Sequence, residues 1–511
     1  MRASGILMHI SSLPSAYGIG TLGTEAKQFV DFLAASGQTY WQVLPMNPTG
    51  FGDSPYQAFS SYAGNHNFID LSTLVQEGLL HEEEVKNLSW GANPSRVDFD
   101  TLYKQRLEVL HLAYGRFIRT PNRDFIRFVT EEQDWLREYA VFMAIKQKNG
   151  GAVWQEWEEP LRTHDPLALR EAAAGLKYEI TFHYFLQYEF FRQWNRLREY
   201  CRQKGIRIIG DVPIYVPLDS CDVWANSRLF QLDENGVPTA VAGCPADQFN
   251  EDGQLWGNPL YNWSIMRAEG YEWWLRRLQF ASRMFDVVRI DHFRGFESYW
   301  AVPYGAETAK EGQWMPGPGL EFVQTLRYRL TGLRFIAEDL GFLTPEVREL
   351  QKASGFPGMK VLEFAFDPKE PSEYLPHNYD KHCVCYTGTH DNAPISEWYS
   401  DLSESSRAYV RRYFALTREE GAAWGILRGG MSSTAELFIA QMQDYLPNLS
   451  GARMNEPGRV NDQNWRWRLT PGSLTPDLSR RIMAMTLCYG RVPPKDIPES
   501  ETPGFVSQAD K

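Results

Sequence analysis

Short apolar runs of strand length, most of them separated by amphipathic helical patterns, constrain this chain more than any other feature. Seven such runs cover residues 3–10, 39–45, 207–216, 285–291, 334–340, 359–366 and 383–389. An eighth, 438–442, fits strand and helix equally. Strands alternating with helices predict a parallel sheet joined by crossovers. Eight strands is the number that closes a (β/α)8 barrel, so the expected class is α/β, a TIM barrel. The rival, a doubly wound sheet, favours a glycine-rich phosphate turn after an early strand. The segment after the first run reads SSLPSAYGIGTLG; its GIGTLG at 18–23 matches GxGxxG, but it begins eight residues past the run rather than directly on the strand end, where a phosphate turn would sit.

At about 150 residues per domain, 511 residues would make roughly three domains, but a decorated barrel absorbs the same length. We expect one catalytic barrel over 1–490 with two insertions. The first, about 71–175 between the second and third strands, reads as short amphipathic helices. A long helix over 178–204 then returns the chain to the third strand. The second, about 217–263, is rich in Gly, Pro, Asn and Asp and reads as irregular chain covering the barrel mouth. Thr344 and Pro345 mark an N-cap and first helical residue. Residues 491–511 read as a polar, proline-rich tail.

Composition excludes whole classes of partner. With 52 basic and 64 acidic residues the net charge is −12, the wrong sign for nucleic acid or an anionic membrane. No stretch approaches the ~20 apolar residues of a membrane span, and the N-terminus lacks a signal-peptide core. Six cysteines form no CxxC pair, which argues against a zinc site. The expectation is a reduced, cytoplasmic protein.

The ends of the runs carry acids. Asp211 lies in the third. Arg289, Asp291 and His292 close the fourth, Glu338 and Asp339 the fifth, His390 and Asp391 the seventh. A single acid at a strand end is commonly a turn former or helix cap. Arg289 and Asp291 share a strand face and suit an ion pair, and the histidines suit a core. Glu338 and Asp339 alternate across a strand, so one of them is structural. Several acids converging on the C-terminal mouth of a barrel nevertheless form a functional-site pattern. Glycosidic-bond chemistry needs such carboxylates and no metal. Sugar rings also present apolar faces, and aromatics occur in the mouth loops: Phe51, Tyr56, Phe59, Tyr62, Trp256 and Tyr261. A metal-dependent barrel hydrolase would instead want HxH after the first strand, where this chain has only His9. A non-catalytic glucan-binding protein would not need Asp291 and Glu338 together.

Four segments, GDVPI at 210–214, RIDHFR at 289–294, FIAEDLG at 335–341 and THDN at 389–392, resemble the four short motifs of α-glucan-active barrels. In detail they are similar to glycoside hydrolase family 77, the 4-α-glucanotransferases or amylomaltases. LPMNPTGFGDSPYQAFSSYAGN, GQLWGNPLYNW and ARMNEPG agree, and the resemblance spans residues 5–468. It implies transfer of an α-1,4-glucan segment from a maltodextrin to a glucose or maltooligosaccharide acceptor by a retaining double displacement. In that case two carboxyl groups stand about 5–5.5 Å apart. It implies Asp291 as nucleophile, Glu338 as general acid/base with Asp339 structural, and Asp391 as the third carboxylate. Arg289 and His390 would hold the nucleophile and sugar hydroxyls, with His292 adjacent in support and Asp211 the acid of the strand-three motif. Ser54 and Tyr56 would line donor subsites, and Trp256, Asn464 and Trp465 would reach the cleft. Two departures, CPADQF at 244–249 and RVNDQN at 459–464, lie on cleft loops and bear on acceptor preference. No cofactor or metal is implied. A hydrolytic amylase or α-glucosidase is the nearest alternative.

Overall fold

The computed structural model describes residues 2–246, 251–341, 343–447 and 451–492. Its strands, in chain order, are β1 (Ala3–Leu7), β2 (Tyr40–Gln42), β3 (Arg207–Val212), β4 (Ala240–Cys244), β5 (Gln254–Pro259), β6 (Val287–Ile290), β7 (Ser298–Pro303), β8 (Gln313–Pro316), β9 (Phe335–Ala337), β10 (Gly358–Val361), β11 (Cys383–Tyr386) and β12 (Leu437–Gln441). Eight of them form one sheet in the order β10-β11-β12-β1-β2-β3-β6-β9, and every recorded pairing in it is parallel. Each of the seven apolar runs contains or overlaps one of these strands. The ambiguous eighth run is strand: β12 lies between β11 and β1, with Phe438, Ile439 and Ala440 enclosed. A strand covered on both faces shows no alternation, which is why its pattern could not be told from a buried helix.

The two ends of the sheet meet between β9 and β10. The Ala337 N–H donates to the Pro357 carbonyl at 3.0 Å, and the Met359 N–H donates to Asp339 Oδ1 at 2.6 Å. Asp339 therefore stitches the seam with a side chain where the ladder runs out. A Cβ at residue 358 would fall 2.3 Å from Asp339 Oδ2, so only glycine leaves the carboxylate its place. The barrel is a (β/α)8 barrel, with the seam closed by these bonds.

Between β2 and β3 the chain forms the helices Leu71–Gln76, Glu82–Lys86, Phe99–Phe117, Arg123–Glu131, Gln133–Lys148, Glu159–Arg162, Pro166–Gly175 and Lys177–Gln203. Their starts follow local chemistry. Asp98, Asn122 and Asp165 each accept an N–H of the first turn, and Pro166 takes the first helical position. The long helix buries Phe182, Phe185, Phe190 and Trp194. Thr344 caps Pro345–Ser354 through the Val347 N–H, as its sequence predicts.

The second excursion is more regular than expected. It contains the helix Cys221–Ala225 and the strands β4 and β5, which join β7 and β8 in an antiparallel sheet ordered β5-β4-β7-β8. The pairing is invisible locally because β7 and β8 come later in sequence, beyond β6. A register shift between Val241 and Gly243 also breaks the two-residue period. The expected tail is corrected at its start. Arg491 is fully buried, and its guanidinium donates to the carbonyls of Ala3, Met431, Ser433 and Ala435. Residues 493–511 lie outside the described residues, as do residues 247–249 of the CPADQF segment. Among the described residues no helix is long and apolar enough to cross a membrane.

Candidate active site

Parallel strands present their C-terminal ends on one face of a barrel, and that is where the acids collect. Arg289 is the third residue of β6, opposite Asp211 on β3. Its Nη1 donates to Asp211 Oδ1 and Oδ2 and to Asp291 Oδ1, each at 2.8 Å. Arg289 and Asp211 are enclosed, whereas the Asp291 side chain keeps 27% of its surface open to the cleft. Burial opposes the charge on Arg289, but Asp211 and Asp291 together hold it protonated, well above its ordinary value. Burial pushes Asp211 up, and Arg289 pulls it back. Tyr56 completes the group from the loop after β2, donating to Asp211 Oδ2 at 2.7 Å. Burial and the neighbouring Asp211 keep its phenol protonated.

Glu338 follows β9, beside Asp291. Its Oε2 accepts the His292 N–H at 2.6 Å, and its Oε1 accepts the Leu340 N–H at 2.9 Å. Burial pushes this carboxyl up to about 8, and the charge of Asp291 adds to the rise. Arg289 and the two N–H bonds act in the opposite direction. Glu338 thus retains its proton near neutral pH beside a second carboxylate, a pattern suited to an acid and a nucleophile. His292 adopts the left-handed conformation, with φ 50° and ψ 49°, and that turn aims its N–H at Glu338. Burial lowers its imidazole to about 4, so the ring is neutral at pH 7. Trp256, on β5, stands edge-on to His292 with 4.8 Å between ring centroids.

The third acid lies on the loop after β11. His390 stacks on Tyr56 with centroids 5.0 Å apart, and Trp465 approaches both rings at 5.9 Å. His390 Nε2 stands 3.3 Å from Asp391 Oδ1. The Asn455 amide donates to the same oxygen at 2.6 Å, and Arg453 Nη2 donates to the Asp391 carbonyl at 2.5 Å. Sequence reasoning gave Asn455 and Arg453 no role. The available signal was the ARMNEPG segment, which contains both residues.

Two predicted site residues act on backbone. Ser54 Oγ accepts the Tyr56 N–H at 3.2 Å. Asn464 is buried, its Oδ1 accepting the Glu456 N–H at 3.0 Å and its Nδ2 donating to the Arg459 and Glu456 carbonyls. Both ends of that amide are spent inside the loop that carries Asn455. Asp211, Tyr56, Arg289, Asp291 and His390 form one connected group. Glu338, His292 and Trp256 form a second, joined to the first through the adjacent residues 291 and 292. Among the described residues no group of three or more His, Cys, Asp or Glu could hold a metal ion.

Fold and site together define a (β/α)8-barrel protein with a carboxylate-lined mouth, the arrangement that acts on glycosidic bonds. The sequence model of glycoside hydrolase family 77, described as 4-alpha-glucanotransferase, matches residues 8–475, and the chain belongs to that family. It is 46% identical over 495 residues to a 4-alpha-glucanotransferase of Thermus thermophilus, covering 95% of this chain and 98% of that one. It is 43% identical over 486 residues to one of Clostridium butyricum, covering 95% and 100%. An amylomaltase of Streptococcus agalactiae, solved in complex with acarbose, superposes with a TM-score of 0.94 at 41% identity, over 96% of this chain and 100% of that one. An amylomaltase of Corynebacterium glutamicum, at 19% identity and a TM-score of 0.74 over 96% and 74%, shares the fold.

Proposed function

We propose that this chain transfers a segment of an α-1,4-glucan to the 4-hydroxyl of an acceptor glucan or glucose, through a covalent glucosyl-enzyme. The observation that carries this reading is Glu338, enclosed and protonated to about pH 8, beside an Asp291 anchored by Arg289 and open to the cleft. Asp291 attacks C1 of the donor sugar. The bond from C1 to the departing O4 breaks, and Glu338 gives its proton to that oxygen. Ester formation removes the Asp291 charge that raised Glu338, so the ionised Glu338 is a base of suitable strength. It takes the proton of the incoming 4-hydroxyl as that oxygen displaces Asp291 from C1. Two inversions restore the α configuration, and both carboxyl groups return to their starting states.

Asp391, steadied by Asn455 and His390, binds hydroxyls of the distorted sugar. Tyr56 and Trp465 give that sugar an apolar wall, and Asn464 acts by fixing the loop behind Asn455. Trp256 and His292 border the acid, on the side where the leaving group departs and the acceptor enters. Apolar walls on both sides keep water from competing with the acceptor. The barrel and its two excursions work as one catalytic unit, with a maltodextrin as donor and glucose or a maltooligosaccharide as acceptor.

The test incubates wild type and Asp291→Asn with maltotriose, resolves the products and counts reducing ends. A ladder of longer maltodextrins with constant reducing ends, absent from a folded mutant, is the expected result. Rising reducing ends would make the enzyme a hydrolase, and an active mutant would overturn the nucleophile assignment.

A further inference from the structure

Behind the loop that presents His390 and Asp391 lies a carboxyl that the mechanism does not use. Glu363 follows β10 in the turn Leu362–Phe364. Its N–H donates to the Thr387 carbonyl at 3.3 Å, which ties it to the start of that loop. Its Oε1 lies against Gly388: a Cβ there would lie 2.8 Å from this oxygen, 2.8 Å from Asn392 Cβ and 3.0 Å from the Gln441 amide nitrogen. The carboxyl, with Asn392, therefore occupies the space that any side chain at residue 388 would need. Gln441 Nε2 continues the support by donating to the Ala393 carbonyl at 3.4 Å.

Glu363 Oε1 is enclosed and has no hydrogen-bond donor. An ionised carboxylate shares its charge between both oxygens, so an enclosed oxygen without a donor disfavours the charged form. Two neighbouring carboxyls point the same way. Asp444 faces Glu363 from the turn after β12, where its own oxygens accept the Thr387 hydroxyl at 2.5 Å and the Ile395 N–H at 2.8 Å. Glu397 faces it from the helix Ile395–Asp401, and its Oε2 is likewise enclosed without a partner. Asn392 and Arg453 also face the group and act in the opposite direction, pulling it down. Arg453 is the cation that faces this group, and its own bonds run to the carbonyls of Asp391 and Asn455.

Accepting the assignment of Asp391 to the bound sugar, we propose that Glu363 is a positioning residue: as an uncharged carboxyl it forms the floor under residues 387–392 and so sets the placement of His390 and Asp391. Burial and the facing Asp444 push Glu363 well above the ordinary carboxylate range, in agreement with that state. The sign of the pH dependence follows. The folded chain keeps a proton that the unfolded chain gives up, so the support is complete at mildly acidic pH and weakens as pH rises.

Glu363→Gln keeps the shape without the titration, and Glu363→Ala removes the floor. Maltotriose turnover, donor KM and thermal unfolding are measured for both variants and for wild type from about pH 5 to about pH 9. Glu363→Gln is expected to keep the wild-type kcat, and its Tm advantage over wild type is expected to grow with pH. Glu363→Ala is expected to lower kcat about ten-fold or more with donor KM little changed, as a displaced catalytic geometry does. A Gln variant as impaired as the Ala variant, a pH-independent Tm gap, or an Ala variant with wild-type kcat would overturn the proposal. Should the Ala variant fail to fold, the Gln comparison still decides. Asp391→Asn run in parallel tests the underlying assignment separately: an active Asp391→Asn undoes that assignment, whereas the Tm comparison continues to report on Glu363.

Discussion

The backbone N–H of His292 donates to Glu338 Oε2 at 2.6 Å, so the residue next to the proposed nucleophile holds the proposed acid in place. The link is reinforced by backbone on both sides. The Glu338 N–H donates to the Ile290 carbonyl and the Phe293 N–H to the Glu338 carbonyl, each at 3.0 Å. A left-handed residue other than glycine is costly, and here the surrounding bonds over-determine it. The acid is thereby held by backbone beside the nucleophile, whose own carboxylate is held by Arg289.

Activity should track the Glu338 proton. Formation of the glucosyl-enzyme needs that proton, so donor kcat/KM should be high below pH 8 and fall as pH rises through about 8. The same raised value makes the folded chain lose stability as pH climbs from the ordinary carboxylate range toward 8, because the unfolded chain releases the proton first. Glu338→Gln should therefore be inactive, and its Tm relative to wild type should improve with rising pH. Rate profiles and thermal scans over the same pH series check both statements.

Removing the shared guanidinium should damage both fold and chemistry. Arg289→Met leaves Asp211 and Asp291 facing each other without a cation. Breaking a buried pair in this way costs about 3–5 kcal/mol, read as a lower denaturation midpoint. Turnover should fall by at least ~10²-fold, since a mispositioned nucleophile loses its preorganised approach. Arg289→Lys should restore part of both, because the three bonds to the carboxylates come from one nitrogen and an ammonium carries three donors.

Asn455→Ala removes the amide on Asp391 Oδ1. A hydrogen bond to a charged group contributes about 1.5–3 kcal/mol when no water replaces it. Asp391 remains 41% exposed, so water offsets part of that loss. A reduction in kcat nearer ten-fold than a hundred-fold is expected, with Tm almost unchanged. Steady-state kinetics with maltotriose and a thermal scan measure it.

Trp256→Ala opens the wall beside His292 without touching a carboxylate. The ratio of glucosyl transfer to hydrolysis should fall several-fold while total donor consumption changes less, because water gains access to the covalent intermediate. Product analysis with reducing-end counts separates the two fluxes. An unchanged ratio would remove Trp256 from the water-excluding wall.

Much of this architecture was legible before any coordinates. Strand-length runs such as 207–216 and 285–291 announce buried parallel strands, because a strand covered on both faces must be apolar throughout. Alternation along the fifth run required that one of Glu338 and Asp339 face away from the mouth, and Asp339 indeed turns to the seam at Met359. The motif segments brought the acids to strand ends, since a barrel sends every strand's C-terminal end to one face.

Tertiary structure decided the rest. Asn455 reaches Asp391, and Glu363 lies under Gly388, only because strands distant in sequence become neighbours in a closed sheet. The β4–β5 pair needed β7 and β8 to complete its sheet, so its own residues carried too weak a pattern. The protonation of Glu338 is likewise a tertiary fact. The sequence by itself supplied the carboxyl groups and the order of the strands. Enclosure, and the distance to the charge on Asp291, determine which of those carboxyls keeps its proton, and both come from packing rather than from any local pattern.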